Sequence, residues 1–190
     1  MKALCVFSGG LDSMLAAGVV AAQGIEILPV FFDTPFFESS KAIESAAALK
    51  LPLRRVDITK RHIQIVKAPR HGYGAGMNPC IDCHALMARV AGEMLSSENA
   101  DFVITGEVLG QRPMSQTRQG LALVASESGI EGLLVRPLSA KNSPRPSRRR
   151  WAGSRGIVCS LFREDHASLR SKRPPSFQSH ATRRRVAAAC

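Results

Sequence analysis

Short, mostly apolar runs alternate along the chain with stretches in which apolar residues recur every three to four positions. Residues 2–7 (KALCVF), 26–32 (EILPVFF), 53–57 (LRRVD), 102–105 (FVIT) and 133–136 (LLVR) have the length and content of short buried strands. Between them, residues 12–23, 38–50, about 80–96 and about 114–127 have helical periodicity. Leu86, Val90 and Met94 fall at i, i+4 and i+8 of the third such stretch, with Met87 and Ala91 beside them. Strand–helix alternation of this kind predicts an α/β fold, a doubly wound parallel sheet with helices on both faces. Ligands bind such sheets at the carboxyl ends of the strands. The positions of interest therefore follow residues 7, 32, 57, 105 and 136.

The first of these positions holds Ser8-Gly9-Gly10-Leu11-Asp12-Ser13. A helix N-terminus offers free backbone N–H groups and the positive end of the helix dipole, which favour an anion. Gly9 and Gly10 allow close backbone approach and positive φ. Ser8 and Ser13 add hydroxyl donors. A plain turn capped by Ser and Asp would need neither the second glycine nor both serines, so a phosphate site is expected. The loop lacks G-x-x-x-x-G-K-[ST] and is not a Walker A loop. Asp12 beside phosphate calls for a bridging cation, so Mg²⁺ is expected there, with an N-cap role as the alternative.

Asn78-Pro79-Cys80-Ile81-Asp82-Cys83-His84 reads as a helix start, with Asn78 at the N-cap and Pro79 at the first helical position. Both cysteines then lie in the first turns, where the dipole favours thiolate and a protonated His84 would add to it. An accessible thiolate there is suited to carry or attack sulfur. A single C-x-x-C is also half a zinc site, a redox pair, or two ligands of an iron–sulfur cluster. No second pair stands at zinc spacing, the thioredoxin context is missing, and a cluster needs a third cysteine from Cys5, Cys159 or Cys190. Gly72-Tyr73-Gly74-Ala75-Gly76 reads as a loop; its G-x-G-x-G spacing, with no strand leading into it, does not make a dinucleotide fingerprint.

Composition changes this picture only at the C-terminal end. The net charge is +11 over 190 residues, which suggests a nucleic-acid partner. Residues 1–141, however, carry 14 Lys+Arg against 13 Asp+Glu, whereas residues 142–190 carry 12 against 2. The sequence thus divides into a nearly neutral globular part, 1–141, and a basic Arg/Ser/Pro/Ala-rich tail, 142–190. The tail is expected to be disordered, since repulsion opposes compaction and few apolar residues offset the ordering cost. So abrupt a switch is also what a GC-rich gene yields when read in a shifted frame. No apolar run approaches the roughly 20 residues of a membrane span. The chain enters its first strand without a signal peptide, and its five cysteines suggest no disulfide framework. A cytoplasmic location is expected.

Ser8–Ser13 resembles the PP-loop of the ATP pyrophosphatases, S-G-G-x-D-S. The later series Thr105-Gly106-Glu107-Val108-Leu109-Gly110-Gln111, Ser115-Gln116-Thr117 and Arg136-Pro137-Leu138 is similar to that of the catalytic domain of 4-thiouridine synthetases. The 2-thiouridylases have a related N-P-x-x-x-C-N element, in which Cys83 matches the cysteine and His84 stands in place of Asn. The resemblance covers residues 2 to about 141. It implies a Rossmann-like fold of the adenine nucleotide alpha hydrolase type, ATP and Mg²⁺ at the loop, and tRNA and a persulfide-carrying protein as partners. It implies that ATP adenylates a uracil carbonyl oxygen with release of pyrophosphate, and that sulfur then replaces the oxygen. Cys83 would be the reactive thiol, Cys80 a second thiol or a cluster ligand, and Gly106, Glu107 and Gln111 the wall of the nucleotide site, unless Glu107 and Gln111 cap a helix. Another PP-loop ligase, adenylating a carboxylate for amide or nitrile formation, and a non-catalytic RNA-binding protein working through its basic tail are the alternatives.

Overall fold

The computed structural model describes residues 1–74, 78–113 and 115–142. The expectations for the tail from residue 143 onward, and for Ala75 and Gly76 of the glycine-rich loop, lie outside the described residues.

Strands β1 (Lys2–Val6), β2 (Glu26–Asp33), β3 (Arg54–Asp57), β4 (Phe102–Thr105) and β5 (Leu134–Val135) form one sheet in the order β3-β2-β1-β4-β5. Every pairing is parallel, with Leu4 opposite Leu28 on one side and Val103 on the other. Helices α1 (Leu11–Ala21), α2 (Ser40–Ala48), α3 (Thr59–Lys67), α4 (Cys80–Glu93) and α5 (Arg118–Ser128) connect them, and a 3-10 turn spans Pro137–Asn142. The doubly wound α/β architecture is the one the alternating pattern predicts.

Strand period 2 sorts the central residues between two cores. Ala3, Cys5, Phe7, Phe102 and Ile104 pack with Ala17 and Val20 of α1 and Ala42 and Ala46 of α2. Leu4, Val30, Phe32 and Val103 face the opposite way, onto Leu86, Val90 and Ala91 of α4. The small residues Ala16 and Ala17 are fully buried, which lets α1 lie close to the sheet. Leu86 and Val90 form the buried stripe that their spacing predicts, and Met94 packs at its edge.

Three local readings are corrected. Pro79, not Asn78, is the N-cap of α4, and Cys80 is its first residue. The last helix begins at Arg118 rather than near 114, because the Thr117 hydroxyl accepts from the Gly120 N–H at 3.0 Å and fixes the start there. Helix α3 was not anticipated. Its sequence, TKRHIQIVK, has four Lys, Arg or His side chains among nine residues, and its one fully buried side chain is His62. Only Ile63, Ile65 and Val66 among its nine residues are apolar, so a segment this short and polar was easily passed over.

The order β3-β2-β1-β4-β5 puts the topological switch between β1 and β4, whose following segments part to opposite sides. Both the Ser8–Ser13 loop and Gly106 leave the sheet there. No helix among the described residues is long and apolar enough to cross a membrane.

Candidate active site

The loop after β1 owes its shape to Gly9. It has φ +73°, and a Cβ there would lie 2.6 Å from the Lys41 carbonyl oxygen and 2.7 Å from Ala42 N, so α2 seats directly on it. The Ser45 hydroxyl closes this contact by donating to the Gly9 carbonyl at 2.9 Å. Gly10, at φ −75°, is the N-cap of α1, and no side chain caps the helix. Asp12 therefore is not the N-cap; it lies in the first turn. The Ser13 hydroxyl donates to the Gly10 carbonyl at 2.8 Å, and the Ser8 hydroxyl accepts from the Gly10 N–H at 3.3 Å and lies 3.4 Å from the Ser13 hydroxyl. Ser13 is buried, whereas the Leu11 side chain is exposed. The result is a helix N-terminus at which, among the described residues, no side chain makes a cap hydrogen bond, flanked by two hydroxyls and one carboxylate. Such a cradle fits a phosphate chain, and Asp12 is the one carboxylate in it that would share Mg²⁺ with phosphate oxygens.

Gly106 forms the back of this cradle. A Cβ there would lie 2.6 Å from Ser13 N and 2.7 Å from the Asp12 carbonyl carbon, so strand β4 presses its end into the first turn of α1. The next residue, Glu107, is buried and fully committed within the protein. Its Oε1 meets His84 Nδ1 at 2.8 Å, and its Oε2 accepts from Arg136 Nε at 2.7 Å and from the Thr105 hydroxyl at 3.0 Å. Burial alone would raise the carboxyl, but His84 and Arg136 hold it down to about 2. The Glu107 carbonyl also accepts from the buried Ser139 hydroxyl at 3.0 Å. Glu107 thus clamps α4, β4 and the segment after β5 together and caps no helix. Gln111 is exposed, beyond the turn in which its N–H bonds the Val108 carbonyl at 3.2 Å.

The cysteines differ sharply. Cys80 is partly exposed, whereas Cys83 is buried at 4% exposure. The expected low-pKa, accessible thiolate is not what Cys83 presents. Burial, reinforced by Cys80 and Asp82, pushes its thiol up to about 12 and outweighs the helix dipole. Nor does His84 turn toward it, being engaged by Glu107. The partner of Cys83 comes from α3: His62 Nε2 lies 3.0 Å from its Sγ. Asp82 points the other way and holds His71 through its Nδ1 at 3.0 Å and its N–H at 3.1 Å. Among the described residues no three His, Cys, Asp or Glu side chains converge to hold a metal ion, so the zinc and iron–sulfur options find no ligand set there.

His62 is the site residue that sequence reading missed. It is 2% exposed, and its other nitrogen, Nδ1, has no partner among the described residues. The rings of Phe36 and Phe37 tilt against it with centroids 5.5 and 5.4 Å away. They are held by the tight Thr34–Phe37 turn after β2, where the Phe36 N–H bonds the Thr34 hydroxyl at 3.1 Å. The Phe36-Phe37 pair follows a strand's carboxyl end, the edge of an α/β sheet where ligands bind.

A parallel sheet with a Ser-Gly-Gly-Leu-Asp-Ser cradle at its switch point, and a cysteine-bearing helix clamped beside it, places the protein in the PP-loop class. The family model described as "Thiamine biosynthesis protein (ThiI)" matches residues 1–143, and the chain belongs to that family. It is 30% identical over 151 residues to a probable tRNA sulfurtransferase of Ureaplasma parvum, covering 73% of this chain and 37% of that one. A probable tRNA sulfurtransferase of Alkaliphilus metalliredigens is 29% identical over 143 residues, covering 73% and 36%. Among solved structures, a 4-thiouridine synthetase in an RNA complex with bound ATP superposes with TM-score 0.53 at 30% identity, over 73% of this chain and 36% of that one. A predicted tRNA methyltransferase subunit from Methanocaldococcus jannaschii has the same TM-score at 16% identity and shares the fold. The chain spans just over a third of the length of these curated relatives.

Proposed function

We propose that this chain provides the ATP-dependent chemistry of tRNA uridine thiolation. The observation that carries the reading is the uncapped cradle at Ser8–Ser13, backed by Gly106 and tied through Glu107 and His84 to the helix of Cys83. The solved 4-thiouridine synthetase with bound ATP and RNA supports the same assignment. Ser8, Gly9, Gly10, Leu11, Asp12 and Ser13 hold the β and γ phosphates, largely through backbone amides. Mg²⁺ shared between Asp12 and the phosphates would offset the charge that develops on pyrophosphate. Gln111 borders the nucleotide from the solvent side. Glu107 positions rather than touches, since its oxygens are already taken.

A uracil carbonyl oxygen is a poor leaving group, and adenylation converts it into one that departs as AMP. Cys83 then delivers sulfur, received from a persulfide-carrying donor protein, to the activated carbon. ATP and tRNA meet in the cytoplasm, the location proposed for the reaction. The amide- or nitrile-forming alternative leaves Cys83 and the TGEVLGQ segment without a task.

Calorimetry with millimolar ATP tests the first half, and Asp12→Asn is expected to weaken Mg-ATP turnover far more than folding. Mass spectrometry of tRNA nucleosides from cells with and without the gene tests the second. No nucleotide binding, or pyrophosphate release that ignores tRNA and follows a small carboxylate, overturns the proposal.

A further inference from the structure

Cys83 is buried and its thiol holds its proton firmly, yet the proposed function asks it to act as a nucleophile. Among the described residues, its surroundings contain one group able to resolve this. His62 Nε2 is in contact with Sγ at 3.0 Å, and the imidazole is all but sealed from water. A histidine placed only for packing finds partners for both ring nitrogens when buried. Among the described residues His62 leaves Nδ1 without one, so the polar contact that its ring makes there is the one to sulfur. Helix α3 delivers it from the carboxyl end of β3, the same end of the sheet as the phosphate cradle. Phe36 and Phe37, themselves exposed, lie against the ring with centroids 5.5 and 5.4 Å away.

Resting on the reading of Cys83 as the sulfur carrier, we propose that His62 is the proton acceptor that activates Cys83 to take sulfur from a persulfide donor. Cys83 Sγ attacks the terminal sulfur of the donor, R–S–SH. A new bond forms between Sγ and that sulfur, and the donor's S–S bond breaks. The Cys83 proton passes to His62 Nε2 and is returned to the departing R–S⁻. The products are Cys83–S–SH and R–SH; no net oxidation occurs and no further reactant is required. Burial lowers His62 below its ordinary value, which keeps the ring neutral and able to accept.

The test incubates the full chain with cysteine persulfide at neutral pH and follows sulfur uptake on the Cys83 peptide by mass spectrometry. His62→Ala is expected to slow uptake about 100-fold. Added imidazole is expected to restore it, whereas pyrazole, equal in size but hardly basic, is not. His62→Gln fills the same space without accepting a proton and is expected to be as slow as His62→Ala; circular dichroism and the melting midpoint report whether each variant is folded. Uptake at the wild-type rate in folded His62→Gln, or equal rescue by pyrazole and imidazole, overturns the proposal. Uptake that depends on His62, in a protein that never thiolates tRNA, supports the pair while refuting the tRNA reading. Thiolated tRNA without sulfur ever appearing on Cys83 refutes the pair alone.

Discussion

Glu107 shows how one buried charge orders a site. Its two oxygens serve three partners from α4, β4 and the segment after β5. In the unfolded chain the carboxyl takes up its proton near the ordinary 4.5, and in the folded protein near 2. A depressed folded pKa gives stability that is complete above the unfolded value and disappears as pH falls toward the folded one. The contribution of about 3 kcal/mol is therefore lost between about pH 4.5 and 2. Acid unfolding followed by circular dichroism should steepen across that window, and Glu107→Gln should remove the steepening. The same substitution strands Arg136 and is expected to cost about 3–5 kcal/mol at neutral pH, read by urea denaturation. Gly106→Ala drives a methyl into Ser13 N and Asp12 C, and Gly9→Ala combines a backbone clash with a positive φ. Each is expected to weaken ATP binding more than tenfold by calorimetry. At this scale the sequence was most legible where chemistry is local. The Ser8–Ser13 loop announces itself within six residues, but the Cys83–His62 contact joins residues 21 apart, and nothing in either neighbourhood names the other.

Among the elements, the central strands β1 and β4 were readable because water hardly reaches either face and their residues are mostly apolar, whereas the edge strand β3 is Arg-Arg-Val-Asp and largely exposed. Strand β5 is shorter than read: residues 133–136 (LLVR) were expected, and only Leu134 and Val135 pair, at the sheet edge. Helices α1, α2, α4 and α5 carry enough Ala, Leu and Val to show their period. Helix α3 does not, because it is short and only Ile63, Ile65 and Val66 of its nine residues are apolar. His62 and the partly buried Ile65 are what it turns inward, while Arg61 reaches out to Glu93 of α4 at 2.7 Å. The arrangement predicts a distinct response to change along α3. Ile65→Ala should lower the melting midpoint and leave sulfur uptake per folded molecule nearly intact, whereas His62→Gln should do the reverse. Thermal melts paired with the uptake assay separate the two.

For the molecule as a whole, we propose that residues 1–141 act as the ATP-binding unit and that residues 142–190 do not complete its site. A chain ending at Lys141 is then expected to bind ATP within about twofold of the full chain. The excess of cations after that point contributes instead to polyanion binding. RNA affinity of the full chain should fall steeply between about 50 and 200 mM salt, and the shorter chain should lose most of that slope. Filter binding at several salt concentrations measures both. The parallel sheet has one further effect, on how the protein can be handled. Every strand starts at one end and finishes at the other, so Met1 emerges at the end opposite the Ser8 loop, with the length of β1 between them. Five residues of strand separate the two by about 17 Å. A bead, dye or surface linked at Met1 would hold the molecule by its base, leaving the crevice pointing outward to meet a large, stiff polyanion unobstructed.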